Sequence, residues 1–346
     1  MSCERPIILG GAGSSGSTLL ITILNRHKKI AAGPELSLFN KRAFFNMPFE
    51  ELKAQRKKII NRGMCTDGWF LYPRIYFEKY GFSASAFSDL IKASTDQKDF
   101  IDRFFSVYLD NAGKTLWAEK TPSNVYCFRE FMHLYPEARF IHIYRDGKDV
   151  VTSFIKRGMR PYFATMLWLY NTSKALKYRN LPNYYEIRYE DLVKDPAYEI
   201  KRLCDFLELE YDAQMLYAKE NEKVEVASWN HSPNAGIDSS SVGKYKSYLT
   251  GFHYYTMLHA RISKRHINQY QLEYINAEEI QEALGYSSLM DNQKYAKKWI
   301  VRLGYSLRLF YSLIRDMIYR YYILVKKRSR IPAYPGKITT GLQRAR

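Results

Sequence analysis

The stretch Ile7-Ile8-Leu9-Gly10-Gly11-Ala12-Gly13-Ser14-Ser15-Gly16-Ser17-Thr18-Leu19-Leu20 constrains this chain more than any other. A short apolar run ends in two glycines. A Gly/Ser-rich turn follows, and then Leu19, Leu20, Ile23 and Leu24 fall at helical spacing. The pattern predicts a strand, a tight loop and the amino end of a helix. Glycine lets the backbone turn sharply and approach a ligand closely. Unpaired N–H groups and the positive end of the helix dipole then face the loop, which suits an anion and above all a phosphate. The spacing Gly11-x-x-x-x-Gly16-Ser17-Thr18 departs from the triphosphate loop GxxxxGK[ST] at one position, where Ser17 stands for the lysine. That lysine reaches the β- and γ-phosphates of ATP. Without it the loop suits a single phosphate-like group better than a triphosphate. The plain alternative is a strand–helix turn with no ligand, but four hydroxyls (Ser14, Ser15, Ser17, Thr18) are more than a turn needs.

The chain's 346 residues, 46% hydrophobic and 25% charged, suit one large α/β domain or two modest ones. Four cysteines form no CxxC pair, so reduced thiols and no metal site are expected. The amino end lacks a basic segment followed by an apolar core, which points to a cytoplasmic protein. The net charge of +18 is uneven: residues 295–346 hold thirteen Lys/Arg against one acid, Asp316, or +12. The tail is therefore strongly basic and the remainder mildly so.

Along the chain, Gly33-Pro34 ends the first βα unit, and Glu35 follows it. In a parallel sheet that places Glu35 near the carboxyl ends of the strands, where open α/β folds bind ligands. Segments 48–61, 83–93 and 96–111 read as inserted helices. Trp69, Tyr72, Tyr76, Phe77 and Tyr80 lie among them, as core or as the floor of an acceptor pocket. Leu116–Lys120 reads as a strand with Lys120 at its carboxyl end, followed by a helix over 124–135. Residues 139–145 read as a buried strand running into a helix. On that helix Ser153 and Arg157 are four apart and share a face. With Arg145 they could take a second phosphate, since a guanidinium fork matches phosphate oxygens. The competing reading pairs Arg145 with Asp146 or Asp149. A helix over 162–179, a strand over 184–188 and a helix over 197–207 follow. Residues 221–243 lack periodicity and read as a lid that Gly243-Lys244-Tyr245 closes.

Taken together these motifs resemble the sulfotransferases that use 3′-phosphoadenosine-5′-phosphosulfate (PAPS), nearest the glutamate-base branch with tyrosylprotein and bacterial carbohydrate sulfotransferases. Gly13–Leu19 resembles the family's 5′-phosphosulfate loop. Arg145, Ser153 and Arg157 resemble its 3′-phosphate motif. Gly33-Pro34-Glu35 resembles the segment carrying the general base, and Glu119-Lys120-Thr121-Pro122 the segment whose lysine steadies the sulfuryl group. Arg188-Tyr189-Glu190-Asp191-Leu192-Val193 resembles the segment after the fourth strand. The resemblance implies catalytic roles for Glu35 and Lys120. It implies donor binding by Ser14, Ser15, Gly16, Ser17, Thr18, Arg145, Ser153, Arg157, Tyr189 and Lys244. It covers about residues 6–245. One departure stands out: the family usually has Arg or Lys where this chain has Ser14, which would move that duty to Lys120 or Lys244.

The reading is a central parallel sheet with flanking helices, P-loop kinase-like, over residues 1–290, with helical insertions. A basic helical extension covers 291–346. The expected activity is sulfuryl transfer from PAPS to a hydroxyl of a carbohydrate, lipid headgroup or other alcohol, without a metal and without nucleic acid. Two rivals stay open: a nucleotide kinase-like enzyme, and a non-catalytic membrane-binding protein on the same fold. Residues 297–328 read as one amphipathic helix with interspersed arginines and lysines. It could lie on an anionic membrane surface, making the protein membrane-peripheral, or it could pack on the body with its charges in water.

Overall fold

A sheet of five parallel strands positions everything that follows. The computed structural model describes residues 4–39, 44–62, 75–217, 237–290 and 299–326. The strands are β1 (Ile7–Gly10), β2 (Ile30–Ala32), β3 (Leu116–Lys120), β4 (Arg139–Tyr144) and β5 (Tyr184–Arg188). Their order across the sheet is β2-β3-β1-β4-β5. Ile8 lies opposite Glu119 in β3 and Phe140 in β4, which fixes the register around the central strand. β1 is buried along its whole length, as an apolar run covered on both faces must be. With β3 on one side and β4 on the other, β1 delivers its loop to the point where the chain's connections diverge. Open α/β sheets bind ligands there.

The chain forms two units. Among the described residues, one takes in 4–62, 75–144 and 178–239 and the other 145–177 and those from 240 onward. The first unit holds the sheet. Its helix Ser17–Arg26 buries Leu20, Ile21, Ile23 and Leu24 in one core with Ile7, Leu9, Ile141, Ile143 and Ile187. Burying each such side chain stabilises the unit by about 1.5–3 kcal/mol. The inserted helices Phe49–Arg62, Ala84–Ala93 and Gln97–Ala112 form as the apolar spacing requires. The last has Asp96 as its cap, accepting from the Asp99 N–H, and Gly113 in the left-handed conformation at its end. Its Phe105 stacks on Trp117 of β3 with ring centroids 3.8 Å apart.

The second unit is helical. Pro161–Leu176 starts with proline in its first turn and is buried from Ala164 to Leu176. It packs on Gly147–Lys156, where Gly147 lies so close to the Trp168 ring that a Cβ there would fall 2.3 Å from Cζ2. Helices Tyr245–Tyr248, Gly251–His259, Lys264–Tyr270, Ala277–Ala283 and Trp299–Lys326 complete the described part of the unit.

The structure departs from the sequence reading in several places. The three-residue strand β2 was not foreseen. The helix expected over 124–135 is a 3-10 turn, Pro122–Tyr126, followed by the helix Phe128–Leu134. The break lies at Cys127, three residues after Asn124, whose side chain bonds the end of the central strand instead of solvent. The strand expected to reach Arg145 stops at Tyr144. Phe77 and Tyr80 are core. Trp69, Tyr72 and most of the expected lid fall outside the described residues.

Candidate functional site

The loop after β1 is shaped by three backbone positions. Gly11, Ser14 and Gly16 have φ of 139°, 68° and 94°. Gly16 is where the shape is unavoidable, since a Cβ there would fall 2.3 Å from Cδ2 of Tyr189. Tyr189, the residue after β5, therefore closes on the loop's last turn. No side chain caps the helix Ser17–Arg26, and no acid lies in its first turn. Its amino end thus keeps the donors and positive potential that favour an anion. Beneath the loop His142 is fully buried in β4, with Nδ1 3.3 Å from Oε1 of Glu186. Burial pushes the Glu186 carboxyl up, but its bonds to His142 and Arg179 outweigh that and hold it below its ordinary value.

At the next strand ends three of the expected residues meet. Lys120 Nζ donates to Oε1 of Glu35 at 2.8 Å and lies 3.5 Å from Oγ1 of Thr18. The lysine side chain is 5% exposed and Glu35 22%. The sheet accounts for the meeting: Lys120 ends β3, beside Leu9 of β1, and Glu35 follows three residues after β2. The path of the Glu35 segment is fixed on two sides. Tyr80 packs on Gly33, where a Cβ would come 2.6 Å from its ring, and its hydroxyl donates to the Pro34 carbonyl at 2.7 Å. Burial lifts the Tyr80 phenol well above its usual range, so it stays a donor.

On the other side stands Glu119, to which sequence reasoning gave no role. It is fully buried. Its Oε1 accepts from the Leu36 N–H at 2.9 Å and from Thr121 Oγ1 at 2.7 Å, and its Oε2 from Asn124 Nδ2. Asn124 Nδ2 also donates to the Leu9 carbonyl at 3.0 Å. One carboxyl thus ties the Glu35 segment to β3, and through Asn124 to the end of β1. Burial pushes its pKa up despite these bonds. Only Glu119's place beside Lys120, at a strand end before a proline turn, could have signalled it.

The second unit carries the remaining candidates. Arg145 is buried, with Nη2 3.4 Å from Oδ2 of Asp149, and it donates to the Ser241 carbonyl. The ion pair weighed as the competing reading is therefore present. Asp149, which sequence reasoning considered only as that partner, also accepts from the Gly243 N–H at 2.7 Å and the Tyr245 N–H at 3.0 Å. Lys244 is exposed and donates to Ser241 Oγ at 3.2 Å. Ser153 and Arg157 meet as their spacing predicts, Nη2 donating to Oγ at 2.8 Å. Among the described residues no group of three or more His, Cys, Asp and Glu is placed to hold a metal.

A model of the sulfotransferase family matches residues 6–213. A Caenorhabditis briggsae protein assigned as a protein-tyrosine sulfotransferase is 27% identical over 227 residues, covering 63% of this chain and 70% of that one. Two solved structures share the fold. The sulfotransferase domain of the Synechococcus PCC 7002 olefin synthase aligns with a TM-score of 0.51 and 22% identity, over 82% of this chain and 94% of its own. The sulfotransferase domain from the curacin biosynthetic pathway gives 0.53 and 20%, over 82% and 98%.

Proposed function

The chain belongs to the sulfotransferase family, and on that premise we propose that it moves a sulfuryl group from PAPS to an acceptor hydroxyl. The observation that carries this reading is the meeting of Glu35, Lys120 and Thr18 beside a loop whose helix no side chain caps. Glu35 is the general base: it takes the hydroxyl proton as that oxygen attacks sulfur. The bond from sulfur to the bridging phosphate oxygen breaks, and adenosine 3′,5′-bisphosphate leaves with the electron pair. Lys120 and Thr18 supply fixed donors to the charge that spreads over the sulfuryl and leaving oxygens, by analogy with phosphoryl transfer. The loop from Ser14 to Ser17 takes the 5′-phosphosulfate. Arg145 and Ser153, with Arg157, take the 3′-phosphate, and Tyr189 acts through the loop by packing on Gly16.

The residues fit such a donor. A phosphosulfate needs backbone donors, hydroxyls and one cation, and the loop with Lys120 offers these without a triphosphate lysine. In this reading Lys120 or Lys244 supplies the positive charge that Ser14 does not. The partly exposed Glu35 suits a base that must meet an acceptor from solvent. An acceptor alcohol is required by the chemistry, and its class is open to experiment. Incubating the full chain with sulfur-labelled PAPS and fractionated cell extract should label one hydroxyl-bearing fraction. Transfer from γ-labelled ATP in a parallel incubation, with none from PAPS, would overturn the reading in favour of a kinase.

A further inference from the structure

The helix Trp299–Lys326 has two apolar faces, and the described contacts account for one. Tyr305 packs on Phe252 and Tyr255 of the helix Gly251–His259, with ring centroids 5.8 and 5.7 Å apart. Ser306 Oγ lies 2.6 Å from the Tyr255 hydroxyl. Leu309, Ser312 and Leu313 share that side and are half-buried. At about 100° per residue, Leu303, Leu307, Phe310, Tyr311 and Ile314 fall in one arc on the opposite side. They are 53%, 63%, 63%, 65% and 42% exposed. A stripe of large apolar side chains standing in water marks an interaction surface.

We propose that this stripe lies in the plane of an anionic lipid bilayer. Its charge chooses the occupant. Arg315 stands exposed along one edge of the stripe beside Arg308, whose guanidinium lies over the Phe252 ring, while Arg302 is exposed in the first turn on the packed side. Within 299–326 the sequence sets five Lys/Arg against one acid, Asp316, and Lys327 and Arg328 extend the run. Arginine reaches headgroup phosphates while its stem lies along apolar surface. Two copies joined stripe to stripe would instead bring arginines of like charge together. No helix among the described residues is long and apolar enough to cross a membrane, which agrees with a helix lying in the interface. The proposal rests on this helix and not on the assignment of the donor, so either can fail alone.

Flotation of the full chain with phosphatidylcholine vesicles, with and without phosphatidylserine, tests it. The protein should float with the anionic vesicles at low salt, and much less with neutral ones or at high salt. Leu307→Glu with Phe310→Glu should abolish flotation, while far-ultraviolet circular dichroism stays unchanged because both side chains are exposed. Arg315→Gln, at the edge of the stripe, should weaken binding roughly fivefold. Absence from anionic vesicles at low salt, or equal flotation with both kinds, would overturn the proposal. So would concentration-dependent self-association without lipid that Leu307→Glu removes, since that would give the stripe to a second copy.

Discussion

Two ion pairs of similar composition do different work in the two units. In the first, Lys120 meets Glu35, whose side chain is 22% exposed. In the second, Arg145 meets Asp149, whose side chain is 1% exposed and which also holds the N–H groups of Gly243 and Tyr245. A carboxylate at the water boundary can exchange a lysine for a substrate proton. A carboxylate that is sealed in and shared with two backbone donors cannot be spared from the fold. Glu35 is therefore read as a reacting group, and Asp149 as the post that orients Arg145 and anchors the chain through 243–245.

The largest expected effect tests the buried pair. Asp149→Ala leaves Arg145 without its carboxylate and two N–H groups without an acceptor, and should cost about 3–5 kcal/mol of stability in urea unfolding. A loss as small as that of an exposed pair would erase the contrast. Lys120→Ala works in the opposite way. It should lower kcat by about a hundredfold to a thousandfold, the scale of removing one donor from a developing negative charge. Binding of adenosine 3′,5′-bisphosphate should change far less, since Glu35 can turn to water. Arg145→Ala should weaken that bisphosphate by about one to two orders of magnitude, as expected for a hydrogen bond to a charged group worth roughly 1.5–3 kcal/mol. Adenosine 5′-phosphosulfate, which lacks the 3′-phosphate, should lose little, and equal losses would show that Arg145 serves only architecture.

The smallest effect concerns Glu119. Its carboxyl is raised from the ordinary 4.5 first of all by burial, against the hydrogen bonds of Asn124, Thr121 and Leu36. A raised acid binds its proton more tightly when folded. Its contribution to stability is therefore full below pH 4.5 and falls as pH rises through the folded value. Glu119→Gln should flatten that fall, while its NH2 group, facing the Asn124 Nδ2 donor, should cost about 1–3 kcal/mol. An unchanged pH profile of urea midpoints would place the titration elsewhere.

What the sequence made legible follows from locality. The loop, Glu35, Lys120 and the Ser153–Arg157 pair each stand beside a strand end, a Gly-Pro break or a helical repeat that can be read within ten residues. Glu119 could not be read so, because its partners Leu36 and Asn124 come from separate segments that only the folded sheet brings together. β2 was missed since three residues carry no periodicity to recognise. Asn124 was absorbed into a helical pattern because its bond to the Leu9 carbonyl is non-local. In the helix Trp299–Lys326 the apolar spacing was plain, but sequence leaves open which face is used. Tyr305 and Ser306 settle the packed side, and Leu307 and Phe310 the exposed one.

In the proposed reaction Glu35 accepts the acceptor's proton while Lys120 holds charge beside it. Glu35→Gln keeps the side chain's shape and removes the base. Turnover of labelled PAPS by the full chain should fall by about a hundredfold or more, while the affinity for adenosine 3′,5′-bisphosphate, read by calorimetry, stays near wild type. Turnover that survives the substitution, with the bisphosphate still bound, would contradict the account.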